Sequence, residues 1–267
     1  MTTPLGPTPH PEVHAMLLLL LEQVRGVLAG QFTGLYLYGS LSSGDFDPGS
    51  SDIDFLVVTE SELPPETVGA LAAMHARIAA SGLPWANRLE GSYIPRSALR
   101  RQDPVNSRHP TIGLDWDFGP AEHGPEWVIQ RWIVREQGVT LAGPLPATLI
   151  DPITPGELRA AVIEILLGFW AEQVHGSEPE WLRTREYQAF AVLTMCRALY
   201  TIEQDVLVSK PAAAAWARTA LGPRWAPLID QALSWRHDTR PDDLTETLAF
   251  VSFAVERARW VREREAG

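Results

Sequence analysis

Two aspartates, Asp52 and Asp54, open an apolar run that continues Phe55-Leu-Val-Val-Thr59. In an extended chain residues i and i+2 point the same way. Both carboxylates therefore project from one face, while Ile53 and Phe55 take the other. Strand interiors disfavour aspartate, and two like charges held this close are costly unless a cation neutralises them. A hard divalent ion such as Mg²⁺ takes such an oxygen pair and leaves room for substrate phosphates. Upstream, Gly39-Ser40 closes a first apolar run, Leu35-Tyr-Leu-Tyr38. Glycine lets a ligand approach the backbone, and the serine hydroxyl and N–H suit a phosphate at the start of a helical turn. Residues 41–51, with Gly44, Pro48 and Gly49, fit one helical turn and a loop that bring the two elements together. A surface hairpin with solvated aspartates is the plainer alternative, and the combination of Gly-Ser, spacing and paired acids weighs against it.

The elements that must position these groups follow from hydrophobic period and breakers. The pattern predicts an amphipathic helix over 12–29, short strands at 35–38 and 53–59, and a helix from Pro64-Pro-Glu66 to about Ala80 with Gly82-Leu-Pro84 as its stop. A further strand is expected at 87–94, irregular chain over 96–124, a helix over 126–137 and a brief extended piece at 139–143. Beyond Gly143-Pro-Leu-Pro146 and Asp151-Pro152 the periodicity is helical throughout, at about 155–173, 184–203, 210–220, 224–236 and 240–264. A mixed half followed by an all-helical half predicts an α+β chain of two domains, 1–150 and 151–267.

Composition narrows the partners. A net charge of −11 argues against a nucleic-acid backbone as the main partner, which would call for a basic stripe, and is compatible with a cationic small molecule. The single Cys196 excludes an internal disulfide, and its apolar setting in LTMCRAL reads as a buried structural thiol. The N-terminal apolar run, Met16–Leu21, is short for a membrane span or a signal core, so the expectation is a cytoplasmic protein without a membrane partner. His10 and His14 stand at metal-ligand spacing but straddle Pro11, and no third ligand is evident. All seven histidines are expected at the surface or in loops.

Gly-Ser, about ten residues, then Asp-apolar-Asp resembles the signature of the DNA polymerase β-like nucleotidyltransferase superfamily, matched here by Gly39-Ser40 and Ser51-Asp52-Ile53-Asp54. That resemblance implies an N-terminal nucleotidyltransferase domain in which Asp52 and Asp54 hold two Mg²⁺ ions on a triphosphate and a third carboxylate on a neighbouring strand completes the site. Glu90, in NRLEGSYIP, fits that place best as a metal ligand and general base, because a glutamate between strand-forming residues needs a reason. A surface ion pair of Glu90, for instance with Arg88, is the alternative. Asp115 and Asp117 share the spacing but sit in an irregular stretch.

The helical half carries VLTMCRALYTIEQDVLVSKPAAAAWA at 192–217, and the junction carries VTLAGP and LIDP within 139–152. Both resemble the aminoglycoside (3″)(9) adenylyltransferases, the streptomycin/spectinomycin-resistance family. The resemblance implies an enzyme that moves AMP from the co-substrate ATP to a hydroxyl of an aminoglycoside-like, cationic acceptor. Gly39, Ser40, Ser51, Arg197 and Lys210 then contact the nucleotide, the two cations from a helical bundle domain. Trp116, Glu180 and Glu186 match the acceptor-contacting positions, with Glu where the family carries Asp, a longer loop, and Arg183 and Arg185 adding positive charge. The expected state is a monomer. Two other readings stay open: nucleotidyl transfer to another acceptor such as a protein hydroxyl, and a catalytically silent nucleotide- or drug-binding protein.

Overall fold

A computed structural model of the chain describes residues 7–49, 51–103, 105–114, 118–235 and 237–266. The chain divides into two compact units, Met1–Pro152 and Ile153–Gly267.

In the first unit, α1 (Pro11–Leu28) leads into β1 (Phe32–Leu37), the short α2 (Gly39–Ser43), β2 (Ile53–Thr59), α3 (Pro65–Ala79) and β3 (Leu89–Pro95). Then come α4 (Arg96–Arg100), β4 (Arg108–Ile112), β5 (Gly119–Glu122), α5 (Glu126–Gln137) and β6 (Val139–Ala142). The six strands form one mixed sheet in the order β5-β4-β3-β2-β1-β6. Among the described residues only β2 and β3 pair in parallel, with α3 as the crossover between them.

Period-2 alternation sorts the sheet into two faces. Leu35, Leu37, Ile53, Phe55 and Val57 share a buried core with Val13, Met16, Leu17, Leu20 and Val24 of α1 and with Leu71, Met74 and Ile78 of α3. The opposite face takes Tyr36, Tyr38, Asp54 and Glu90. The segment Pro11–Gln31 is long and apolar enough to cross a membrane by length and composition, more than its six-residue leucine-rich centre implies. Its apolar stripe is what packs on the sheet.

Residues 96–124 are more ordered than expected, holding α4, β4 and β5. The alternation was hidden by prolines: Pro110 of β4 stands opposite Pro120 of β5. Both are tolerated because β5 is the edge strand and Pro110 lies outside the β4 residues that pair with β3. The expectation for the histidines fails at His75 of α3 and His109 of β4, which are buried in regular elements, while His123 does lie in a loop, though a buried one.

The second unit holds helices among its described residues: α6 (Pro155–Ile165), continued by a π turn at Leu166–Trp170 and by α7 (Ala171–His175), then α8 (Arg185–Gln204), α9 (Lys210–Ala220), α10 (Ala226–Ser234) and α11 (Thr245–Ala266). A capping box starts α6: Thr154 accepts from the Glu157 N–H, and the Glu157 carboxylate accepts from the Thr154 N–H. The central helix α8, with Ala189, Val192, Leu193, Met195, Cys196 and Leu199 buried, packs against α6, α9, α10 and α11. Burial pushes the Cys196 thiol up to about 12, as expected of a structural cysteine. The mixed sheet with flanking helices followed by an all-helical unit is the expected α+β architecture.

Candidate active site

The site is built where β1 ends, β2 begins and β3 runs alongside. Parallel pairing sets Asp54 directly beside Glu90, with Ile53 beside Leu89 and Phe55 beside Gly91. Each carboxylate flanks core residues that fix its strand, so neither can leave this face without turning Ile53 or Leu89 to solvent. Across the other edge of β2, the Tyr38 N–H donates to the Asp54 carbonyl at 3.2 Å. The chain then turns through Gly39 with φ +60, and a Cβ there would collide with the Asp54 carboxylate. The glycine is required by both backbone conformation and lack of room.

Ser40, next in the turn, has a buried hydroxyl oxygen with no hydrogen-bond partner. Such an orphan inside a protein calls for an explanation, and an incoming phosphate oxygen provides one. Ser51 is buried and does a different job. Its N–H donates to the Asp47 carbonyl at 2.7 Å and its hydroxyl accepts from the Asp47 N–H at 2.9 Å. This closes the loop that delivers Asp52 to β2.

Asp52 faces a cation of the chain itself: its Oδ1 is 3.8 Å from Nε of Arg88. The β2–β3 register brings Arg88 to Asp52. Tyr38 reports on the other two acids. Its phenol is buried, and burial first, then the charges of Asp54 and Glu90, hold its pKa well above the ordinary value. Both carboxylates thus act on one phenol.

Beside Glu90 on the same face of β3, Ser92 belongs to a buried polar network that sequence reasoning missed. Its hydroxyl meets Thr111 Oγ1 at 2.9 Å and His123 Nε2 at 3.2 Å. His123 stacks on Trp127 with ring centroids 3.8 Å apart, and burial pushes its imidazole down to about 3, so the ring is neutral. Arg131 of α5 ties this corner down by donating to the Leu99 and Ala98 carbonyls at 2.9 and 2.7 Å and to the Gln102 side chain.

Trp116, with Asp115 and Asp117, lies outside the described residues. In the second unit, Arg197 stands on α8 two turns beyond Phe190, on the same helical face. Lys210, the first residue of α9, holds its ammonium 4.0 Å over the Phe190 ring. The two cations thus lie on one region of that unit. Glu180 is highly exposed and paired with Arg183 at 2.8 Å. Glu186 lies in the first turn of α8, where its N–H donates to the Asp238 carbonyl at 2.9 Å. The neighbouring Arg185 is taken up by Asp238 and Asp242, at 3.0 and 2.6 Å. The positive charge of Arg183 and Arg185 is therefore matched locally.

The donor set fits magnesium carried in on a triphosphate. All the ligating atoms offered are hard oxygens, and such ions use one or two carboxylates plus substrate phosphates rather than a closed protein cage. Among the described residues no group of three acid, histidine or cysteine side chains could hold a metal ion by itself, so Asp52, Asp54 and Glu90 do not make a preformed cage.

Comparisons with known proteins bear on the class of the chain and its fold. A model of the nucleotidyltransferase domain matches residues 22–84, and a model of the aminoglycoside adenylyltransferase C-terminal domain matches residues 148–259. A spectinomycin 9-adenylyltransferase of Campylobacter jejuni is 27% identical over 218 residues, covering 77% of this chain and 78% of its own length. An aminoglycoside (3″)(9) adenylyltransferase of Klebsiella pneumoniae is 28% identical over 254 residues, covering 86% and 92%. The fold is shared with the spectinomycin adenyltransferase AAD(9) from Enterococcus faecialis, crystallised with ATP and spectinomycin. That match has a TM-score of 0.70 at 17% identity and covers 92% of this chain and 98% of that one. Fold and site together define a nucleotidyltransferase, an enzyme with a helical unit added after its catalytic domain. Within that class, the helical unit matches the aminoglycoside adenylyltransferase C-terminal domain, and the chain is similar over most of its length to aminoglycoside adenylyltransferases.

Proposed function

We propose that this enzyme transfers AMP from ATP to a hydroxyl of an aminoglycoside-like acceptor of the streptomycin/spectinomycin type and releases pyrophosphate. The observation that carries the reading is the juxtaposition of Asp54 with Glu90 on adjacent parallel strands, over a glycine that leaves space for that carboxylate alone.

In this account the acceptor oxygen attacks the α-phosphorus, the bond to the bridging oxygen breaks in line, and the acceptor proton passes to Glu90. Ser40 Oγ meets a phosphate oxygen and so acquires the partner it lacks. Ser51 holds Asp52 at the head of β2, and Tyr38 stays protonated beside the acids. Arg197 and Lys210 supply cationic contacts to the triphosphate, as Arg and Lys commonly do for phosphates. The chemistry that two Mg²⁺ ions supply, when held by Asp52, Asp54 and Glu90, is neutralisation of the triphosphate and acidification of the attacking hydroxyl.

The acceptor is a cationic small molecule read by Trp116, Glu180 and Glu186, in keeping with the chain's net charge of −11. We place the reaction in the cytoplasm, where ATP is available, with the enzyme working as a monomer and independently of nucleic acid or membrane.

The test is to incubate the protein with Mg·ATP and streptomycin, spectinomycin or no acceptor, following pyrophosphate and the mass of the product. Acceptor-dependent pyrophosphate with an AMP-modified drug is expected. AMP attached to protein would replace this reading with modification of a protein hydroxyl. Tight ATP binding without turnover on any acceptor would replace it with a nucleotide sensor.

A further inference from the structure

Arg88 is held by three separate contacts, only one of which involves the acidic site. Its Nη1 donates to the Pro48 carbonyl at 2.8 Å, so it braces the loop that precedes Asp52. Its guanidinium lies over the Trp85 ring, 4.7 Å from the centroid. Trp85 in turn packs on Phe46 and Phe46 on His10, with centroid distances of 5.4 and 4.6 Å, so Phe46 stands between the indole and the residue that precedes α1. The third contact is the approach of Nε to Asp52 Oδ1 at 3.8 Å, too long for a hydrogen bond. The cation is therefore fixed by Pro48 and Trp85, while its hold on Asp52 is electrostatic only. Register explains why it stands there: Ile53 pairs with Leu89, and the Ile53 N–H donates to the Arg88 carbonyl at 2.8 Å, so residues 52 and 88 enter their strands together.

We propose that Arg88 is a built-in counter-ion: it holds Asp52 before a divalent cation arrives and competes with that cation for the carboxylate. It is a positioning residue that sets how much divalent metal the enzyme needs. The inference rests on the reading of Asp52 as a metal ligand. Like charges near one another oppose binding, so a guanidinium this close weakens metal affinity. Because it keeps Pro48 and Trp85 as partners, it can surrender Asp52 without moving.

The experiment uses the full chain without nucleotide and Mn²⁺ alone as the probe, with free ion counted by electron paramagnetic resonance. Arg88→Gln keeps a donor for Pro48 and removes the charge, Arg88→Met removes both, and Arg88→Lys keeps the charge. The two neutral variants should bind Mn²⁺ roughly three- to tenfold more tightly than wild type, the effect of one partly screened charge a few ångströms away. Arg88→Lys should stay close to wild type. Unchanged or weaker binding in whichever neutral variant folds overturns the proposal. Asp52→Asn is the separate control. Wild-type affinity in that variant would remove Asp52 from the metal site and with it the functional reading, whatever Arg88 does.

Discussion

The carboxylate of Asp54 occupies the space where a Cβ on residue 39 would stand, and Gly39 itself turns the chain with φ +60. The glycine of the Gly-Ser motif is therefore a fitting requirement of the second aspartate. Gly39→Ala carries a left-handed backbone cost of about 1–2 kcal/mol and displaces the carboxylate. A displacement of about 1 Å at such a site costs roughly 100-fold in rate. We expect kcat for pyrophosphate release to fall by about that factor while circular dichroism retains the native helix and strand content. Wild-type kcat in Gly39→Ala would mean that Asp54 need not stay where it is.

Lys210 and Phe190 form a pair that can be dissected. Lys210→Met should raise KM for ATP by about tenfold with a smaller change in KM for the acceptor, since it removes a charge-assisted phosphate contact. Phe190→Leu keeps an apolar residue but removes the ring beneath the ammonium. An exposed cation–π contact contributes about 0.5–1 kcal/mol, so a two- to fivefold rise in KM for ATP is expected, restored by Phe190→Tyr. Initial-rate kinetics at fixed acceptor decide this, and equal KM values across the series would remove Lys210 from the nucleotide site.

Buried histidines make the first unit acid-sensitive. His75 accepts from or donates to the Tyr93 hydroxyl at 2.7 Å and packs face-on against Phe55 and Phe118, and burial pushes it down to about 4. Burial likewise pushes His123 down to about 3, with His109 and Arg131 acting in the same direction. A histidine whose folded pKa lies below its unfolded value of about 6.5 contributes full stability above that pH. The contribution is lost progressively as pH falls toward the folded pKa, because only the unfolded chain takes up the proton. For His75 alone the loss between pH 6.5 and 4 is on the order of 3 kcal/mol. Chemical denaturation at several pH values should show this slope, and the paired variant His75→Phe with Tyr93→Phe should reduce it by about one proton. An unaltered slope would place the acid sensitivity elsewhere.

Much of the catalytic half was legible because its oddities violate strand chemistry. Asp52 and Asp54 head an apolar strand, and their spacing suggested a cation; Glu90 interrupts another strand, and its place in the site came from the resemblance to the nucleotidyltransferases. Register was not legible: nothing local says that Asp54 stands beside Glu90 or that Arg88 meets Asp52, since both follow from the parallel pairing of β2 with β3. β4 and β5 escaped because Pro110, Gly119 and Pro120 imitate loop chemistry, and the buried positions of β4 are His109 and Thr111 rather than aliphatic residues. Isolated histidines look polar in sequence. They become core residues when a neighbouring strand supplies Ser92 or a neighbouring ring supplies Tyr93.

The central claim is that Glu90, set beside Asp54, accepts the proton of the attacking hydroxyl. Its most direct test is single-turnover transfer from radiolabelled ATP to spectinomycin or streptomycin by wild type and by Glu90→Gln, with ATP affinity measured in parallel. The isosteric change should slow transfer by about 100- to 10,000-fold while the dissociation constant for ATP moves little. Transfer at the wild-type rate in Glu90→Gln would contradict the account.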